Sequence, residues 1–246
     1  MNTPLCQTPD ARVNQLLANL PPAEWTRWKP LLEPVELSRG QVLSESGQTP
    51  SYVYFPTTAI VSLLYMTLDG ESSEIAVVGN DGLVGISVFM GGDATPSQAV
   101  VQSAGQGYRL RAQAIKDEID RPGPVMLMLL RYTQAFMAQV SQTAACNRYH
   151  SIDQLLCRRL LLGLERLPSD ALMMTQELLA NMLGVRREGV TAAALKLQSD
   201  GIIRYSRGKI NVLDRTRLAE RTGECLTVMA RQPHRSGSMP TMQFSA

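Results

Sequence analysis

The chain has 246 residues, 44% of them hydrophobic and 19% charged, with a formal net charge of +2. That is enough apolar material for one large or two ordinary cores and too balanced for a disordered chain. No run reaches the roughly 20 apolar residues that cross a bilayer, and the opening stretch MNTPLCQTPDARVNQ lacks a basic-then-apolar signal pattern, so a cytoplasmic protein without a membrane partner is expected. Cys6, Cys146, Cys157 and Cys225 lie far apart with no CxxC pair, which predicts reduced thiols rather than a zinc site or a disulfide framework.

The small net charge hides a split. Residues 1–124 hold 8 Lys/Arg against 13 Asp/Glu, a balance of −5, whereas residues 157–221 hold 12 against 7, a balance of +5. A basic second half suggests a polyanionic partner on that side.

In chain order, Val13 to Leu20 and then Glu24 to Leu32, behind Pro21-Pro22, read as short helices. Residues 34–112 read as a succession of short strands: VELSRGQVL, SYVYFP, AIVSLLYMTL, SEIAVVG, GLVGISVFM, AVVQSAG and GYRLRAQAI. Gly, Asp, Asn and Pro separate these β-branched and aromatic runs, as in an antiparallel sandwich or roll with no helix between.

From Pro124 the period becomes helical. Val125, Leu129, Tyr132, Phe136, Gln139, Thr143, Cys146 and His150 recur at alternating steps of four and three, a mean near 3.5 that suits a two-helix seam. We expect this helix to pair with its twin in a homodimer, with Val125, Leu129, Tyr132, Phe136, Gln139 and Thr143 at the interface. It should break between Asn147 and Ser151 and give way to IDQLLCRRLLLGLERL, an amphipathic helix with its leucines inward.

The next segment opens with TQELLANMLG. Thr175 is an N-cap candidate, and Glu177 suits the positive end of the helix dipole. Gly184 can take the positive φ of a tight turn, and Val185 leads to a second helix over 186–199 with Val190, Ala193, Ala194 and Leu197 buried. Gly201 is its C-cap candidate. Two short helices joined by a glycine turn make a helix-turn-helix. IIRYSRGKINVL then reads as a two-stranded ribbon with SRGK at its tip.

This order, a roll of strands, a long apolar helix and TQELLANMLGVRREGVTAAALKLQSDGIIRYSRGKINVLD, resembles the Crp/Fnr superfamily of bacterial transcription regulators. The resemblance covers about residues 12–220. It implies an α+β chain: a cyclic-nucleotide-binding-like antiparallel β-roll sensor over 1–123, a dimerisation helix over 124–150 and a winged helix-turn-helix DNA-binding domain over 151–221. Residues 222–246 would be a partly disordered tail. The implied function is sequence-specific regulation of transcription by a homodimer on palindromic double-stranded DNA, with RNA polymerase as a further partner if it activates. The alternative is a small-molecule-sensing module acting through protein partners. No enzyme is expected, because no nucleophile set, metal cluster or phosphate-cradling loop is visible.

The resemblance also implies roles for single residues. In such a motif the second helix enters the major groove N-terminus first. Arg187 can give a bidentate fork to guanine and Glu188 can accept from cytosine, and both match the family's base-reading positions. A third reader in the family is Ala192 here, which makes direct readout narrower or moves it to Arg186 or Thr191. Thr175, Gln176 and Arg186 match phosphate-contacting positions, and Arg207 and Lys209 on the wing are further phosphate candidates.

For the sensor, cyclic-AMP-binding members use a Gly-Glu pair for the ribose and, further along, an arginine for the cyclic phosphate. The matching stretch VGISVFMGGDATPSQAVV keeps Gly85, but Ile86 stands at the glutamate position and Ser97 or Gln98 at the arginine position. These four residues mark the effector pocket if there is one. Without a cation a buried phosphate lacks its charge partner, so tight binding of cyclic AMP is not expected. Only Cys6 precedes Cys146 where iron–sulfur members carry a cysteine cluster. The two histidines, His150 and His234, lie outside the roll. No metal or cofactor is therefore identified, and the effector is unknown.

Overall fold

The computed structural model describes residues 9–67, 69, 72–92, 94–121, 123–166 and 171–223. Two short helices, α1 (Gln15–Ala18) and α2 (Pro22–Trp28), precede seven strands. These are β1 (Glu33–Leu37), β2 (Val42–Ser44), β3 (Tyr52–Pro56), β4 (Ile60–Met66), β5 (Ser72–Val78), β6 (Gln98–Ser103) and β7 (Gly105–Arg111). All pair antiparallel, in one sheet of order β1-β7-β3 and another of order β2-β6-β4-β5. Between the sheets lie Leu37, Val61, Leu63, Ala76, Val78, Ala99 and Val101.

Three runs expected as strands fold differently. VELSRGQVL divides at a turn closed by Gln41 N to Ser38 O at 3.0 Å, and its halves, β1 and β2, enter different sheets. GLVGISVFM contributes a single bridge, Val84 to Tyr54, and a 3-10 turn over Ile86–Val88. Gly85 before that turn has φ of +110°, a backbone that ends an extended run. GYRLRAQAI divides at Arg111, and Ala112–Ile119 is helix α3. The outer face of the three-stranded sheet, Val53, Phe55 and Leu110, packs on Leu17, Trp28 and Ile115 and on the long helix α4 (Pro124–Tyr149). Inside this layer Glu118 accepts from Trp28 Nε1 at 3.2 Å and from Arg27 Nη2 at 2.8 Å, so the buried carboxylate is matched.

Helix α5 (Ile152–Arg166) starts two residues after α4 is capped at His150. Ser151 and Gln154 form a reciprocal cap, Gln154 N to Ser151 Oγ at 3.4 Å and Ser151 N to Gln154 Oε1 at 3.0 Å. The rest is β8 (Ala171–Met173), α6 (Gln176–Leu183), α7 (Arg187–Ser199), β9 (Ile203–Ser206), β10 (Lys209–Val212) and α8 (Arg215–Glu220). The expected ribbon gains a third strand, since β8 pairs with β10 on the side away from β9. Leu156, Leu160, Leu179, Val190, Leu197, Ile202 and Leu218 share one core.

The cysteine expectation needs a correction. Cys157 is a buried free thiol whose pKa burial pushes up to about 11, which makes it inert. Cys146 is disulfide-bonded, to a partner outside the described residues. Cys6, Cys225, His234 and nearly all of the 222–246 tail also lie outside them.

Candidate nucleic-acid interface

Local chemistry builds the α6–α7 turn. The Thr175 hydroxyl accepts from Leu178 N at 3.1 Å and caps α6. At the other end Gly184 sits at φ +62°, ψ +36°. Gly184 N bonds Asn181 O at 3.4 Å and Val185 N bonds Ala180 O at 3.0 Å, a Schellman closure that satisfies two terminal carbonyls. Arg186 is extended at φ −70°, ψ 144°, and α7 begins at Arg187. Helix α7 closes in the same way, with Gly201 at φ +70° and Ile202 N to Leu197 O at 3.0 Å.

The wing is pinned beside the start of α6. Met174 N donates to Gly208 O at 2.8 Å. The β9–β10 hairpin turns on Arg207 and Gly208 with φ of +49° and +77°, positive at both central residues as in a type I′ turn. For arginine that backbone is strained by about 1–2 kcal/mol. Asparagine or glycine would fit more cheaply, so the cation is held there at a cost.

Polar contacts gather the predicted DNA residues on one side. The Thr191 hydroxyl lies 2.9 Å from Gln176 Oε1 and joins the beginnings of α6 and α7. Arg187 Nη1 is 3.9 Å from Glu177 Oε2, with side chains 62% and 64% exposed. Such a solvated pair contributes under about 1 kcal/mol and leaves the guanidinium free to exchange partners. Arg186, Arg187, Glu188, Thr175, Arg207 and Lys209 are exposed, while Gln176 and Thr191 are half-buried by their mutual contact. All eight predicted base-facing and phosphate-facing groups are thus wholly or partly accessible. Lys196, farther along α7, is turned away to Asp153 at 2.6 Å.

The long helix corrects the sequence reading. Val125, Leu129 and Tyr132 are buried in the chain's own core, and Phe136 packs on the roll interior. Tyr132 donates to Leu83 O at 2.8 Å, Gln139 donates to Val77 O at 3.1 Å, and Thr143 accepts from Arg158 Nη2 at 3.2 Å. All six residues expected at a dimer seam therefore make contacts within their own chain, with Phe136, Gln139 and Thr143 only half-buried. The roll needs an apolar cover, and this stripe supplies it. The opposite stripe, Leu127, Leu130, Gln134, Met137, Ser141, Ala144 and Arg148, is exposed and runs at the same alternating spacing.

In the sensor region Ser97 is buried and half-buried Gln98 donates to Glu45 Oε2 at 2.7 Å. The polar partner at the position of the expected phosphate arginine is thus itself an anion. Gly85 approaches β3 closely, where an added Cβ would lie 3.2 Å from Val53 Cγ2. Half-buried Ile86 packs against the core of the helical layer.

Sequence reasoning missed a set of buried arginines joining the two halves. Arg159 on α5 meets Glu74 on β5, and Arg166 Nη2 lies 2.7 Å from Asp81 Oδ2 in the turn after β5. On a leucine-rich helix an arginine ordinarily reads as solvent-facing, so no local signal marks them.

The architecture is that of a class of two-domain proteins, a cyclic-nucleotide-binding-like roll joined by a long helix to a winged helix-turn-helix. A family model described as cyclic nucleotide-binding domain matches residues 34–121, and one described as Crp-like helix-turn-helix domain matches residues 155–221. FixK2 from Bradyrhizobium japonicum is similar in structure at TM-score 0.67 and 16% identity, over 77% of this chain and 96% of that one. TTHA1359, a Crp/Fnr-family transcriptional regulator from Thermus thermophilus, is similar at TM-score 0.63 and 22% identity, over 77% and 98%. The c-di-GMP-responsive global regulator CLP of Xanthomonas campestris is similar at TM-score 0.61 and 14% identity, over 76% and 96%. No curated protein sequence matches the chain. The chain belongs to the Crp/Fnr family of transcription regulators and carries that family's helix-turn-helix DNA-binding domain.

Proposed function

We propose that this regulator is a cytoplasmic homodimer reading a palindromic DNA site through the exposed start of α7. The observation that carries the reading is that the starts of α6 and α7 are joined through Thr191 and Gln176, with the wing tied beside α6. Arg187, Glu188 and Thr191 stand at the N-terminal turns of α7, and Thr175, Gln176 and Arg186 surround them. Arg207 and Lys209 flank them on a wing tied to α6 by the Met174–Gly208 hydrogen bond. In this arrangement Arg187 and Glu188 read a G·C-containing step, with Thr191 beside them, and the other five hold phosphates.

Dimerisation runs along the outward stripe of α4. Leu127, Leu130 and Met137 are 49%, 56% and 60% exposed at two-helix spacing, and pairing with a second copy would bury them. Two recognition helices would then meet half-sites about one helical turn apart. The effector is not cyclic AMP, because Glu45 rather than a cation faces Gln98. No reaction is assigned to the protein.

The test is selection of bound sequences from random duplex DNA, followed by affinity measured across salt. The reading requires a two-fold-related consensus and a log–log salt slope of several units. Affinity indifferent to salt, or selection without a consensus, would overturn it and favour action through protein partners.

A further inference from the structure

Among the described residues, the layer between roll and winged helix holds three arginines against two carboxylates. Arg158, Arg159 and Arg166 enter it from α5, and Glu74 and Asp81 enter it from the roll. Arg159 takes Glu74 and Arg166 takes Asp81. Among the described residues Arg158 has no carboxylate at ion-pair distance, although it is only 7% exposed, and the Glu74 carboxylate whose field reaches it is already engaged by Arg159. Its Nη2 donates to the Thr143 hydroxyl at 3.2 Å, and its Nε has no hydrogen-bond partner.

An unpaired guanidinium in this position is costly. Removing a cation from water without a counter-charge costs several kcal/mol. Burial and the neighbouring Arg159 push the Arg158 pKa down only to about 10, so the charge persists at neutral pH. Arg158 lines a crevice together with Gln139, Thr143 and Asn147 of α4, Glu74 of β5 and Met182 of α6. Gln139 and Thr143 already make hydrogen bonds, to Val77 O and Gln139 O, so they orient the wall without neutralising the arginine. The crevice beside Arg158 is narrow and lined by polar groups, a setting for a small inorganic anion.

We propose that this crevice is a small-anion site in which Arg158 binds a compact inorganic monoanion of chloride or nitrate size. The anion completes the charge balance of the interdomain layer and strengthens the docking of α5 and α6 on β5. Nothing in this step rests on DNA recognition. A consequent effect on operator affinity would rest on the function proposed above.

The experiment uses the full chain at constant ionic strength, exchanging sodium gluconate for sodium chloride or nitrate. The wild type should show a saturable rise in Tm of about 2–4 °C at several times the dissociation constant. It should also broaden the chloride-35 resonance, with nitrate competing the broadening away. R158Q should lose both responses, and R204Q, at an exposed wing arginine, should keep them. If R158Q fails to fold, R158K retains charge without the planar fork and should broaden chloride several-fold less. Equal responses in wild type and the Arg158 variants would mean an adventitious ion only and overturn the proposal, as would no response in the wild type. Loss of DNA binding with an intact anion response would count against the regulator reading alone.

Discussion

Glu74 on β5 and Arg159 on α5, 85 residues apart, form a buried ion pair, with Nε to Oε1 at 2.9 Å and Nη2 to Oε2 at 3.1 Å. Their side chains are 7% and 3% exposed. Ser62 Oγ donates to Glu74 at 2.5 Å, and Gln102 accepts from the same guanidinium. The pair spans the two halves, so the position of the DNA-binding domain on the roll depends on charges contributed from both. Removing one partner strands the other in low dielectric. Glu74→Met or Arg159→Met alone should therefore lower unfolding free energy by about 3–5 kcal/mol, measured by urea denaturation. The double variant E74M/R159M should be much less damaged than the sum of the two. Additive losses would show that the two side chains do not act as a pair.

The wing tip gives a prediction in which stability and binding move in opposite directions. Arg207 occupies a left-handed backbone at φ +49° before Gly208. Asn-Gly is the preferred sequence for this turn, so Arg207→Asn should raise stability by about 1 kcal/mol by relieving the arginine's strain. If Arg207 holds a phosphate, the same variant should weaken DNA binding and reduce the log–log salt slope by about 1. A variant that lost stability would place Arg207 in a folding role instead.

Base and phosphate contacts separate by substitution. Arg187→Ala should cost about 1–3 kcal/mol at the selected site and broaden base preference there, because a bidentate fork to guanine is lost. Lys209→Ala should weaken all duplexes alike and lower the salt slope. Competition titrations against single-base variants of the site distinguish them. Identical behaviour of the two variants would show that Arg187 reads no base.

The helix-turn-helix was legible because its signals are local. Thr175 is a cap, Gly184 and Gly201 have the positive φ that their places demand, and the buried positions of α7 are Val190, Ala193, Ala194 and Leu197 as the period implies. Two other features were not. GLVGISVFM has strand-forming residues, but Gly85 turns the chain after a single bridge. The Arg158, Arg159 and Arg166 cluster depends on partners far away in sequence, which periodicity cannot report. The α4 seam is ambiguous for another reason. Both stripes of that helix repeat at the same spacing, and which one covers the roll depends on packing against β5 and the core beneath it.

That ambiguity yields a test of the dimer. Met137→Glu combined with Leu130→Glu adds charge to the outward stripe, where both side chains are mostly exposed in the single chain. Burying two carboxylates in a two-helix seam is strongly unfavourable, so the variant should remain folded and become a monomer by sedimentation. Leu129→Ala, on the inward stripe where the side chain is fully buried, should instead cost about 2–5 kcal/mol of stability by opening a cavity. Its remaining folded fraction should keep the wild-type oligomeric state. A folded dimer in M137E/L130E together with dissociation in L129A would return the interface to the inward stripe.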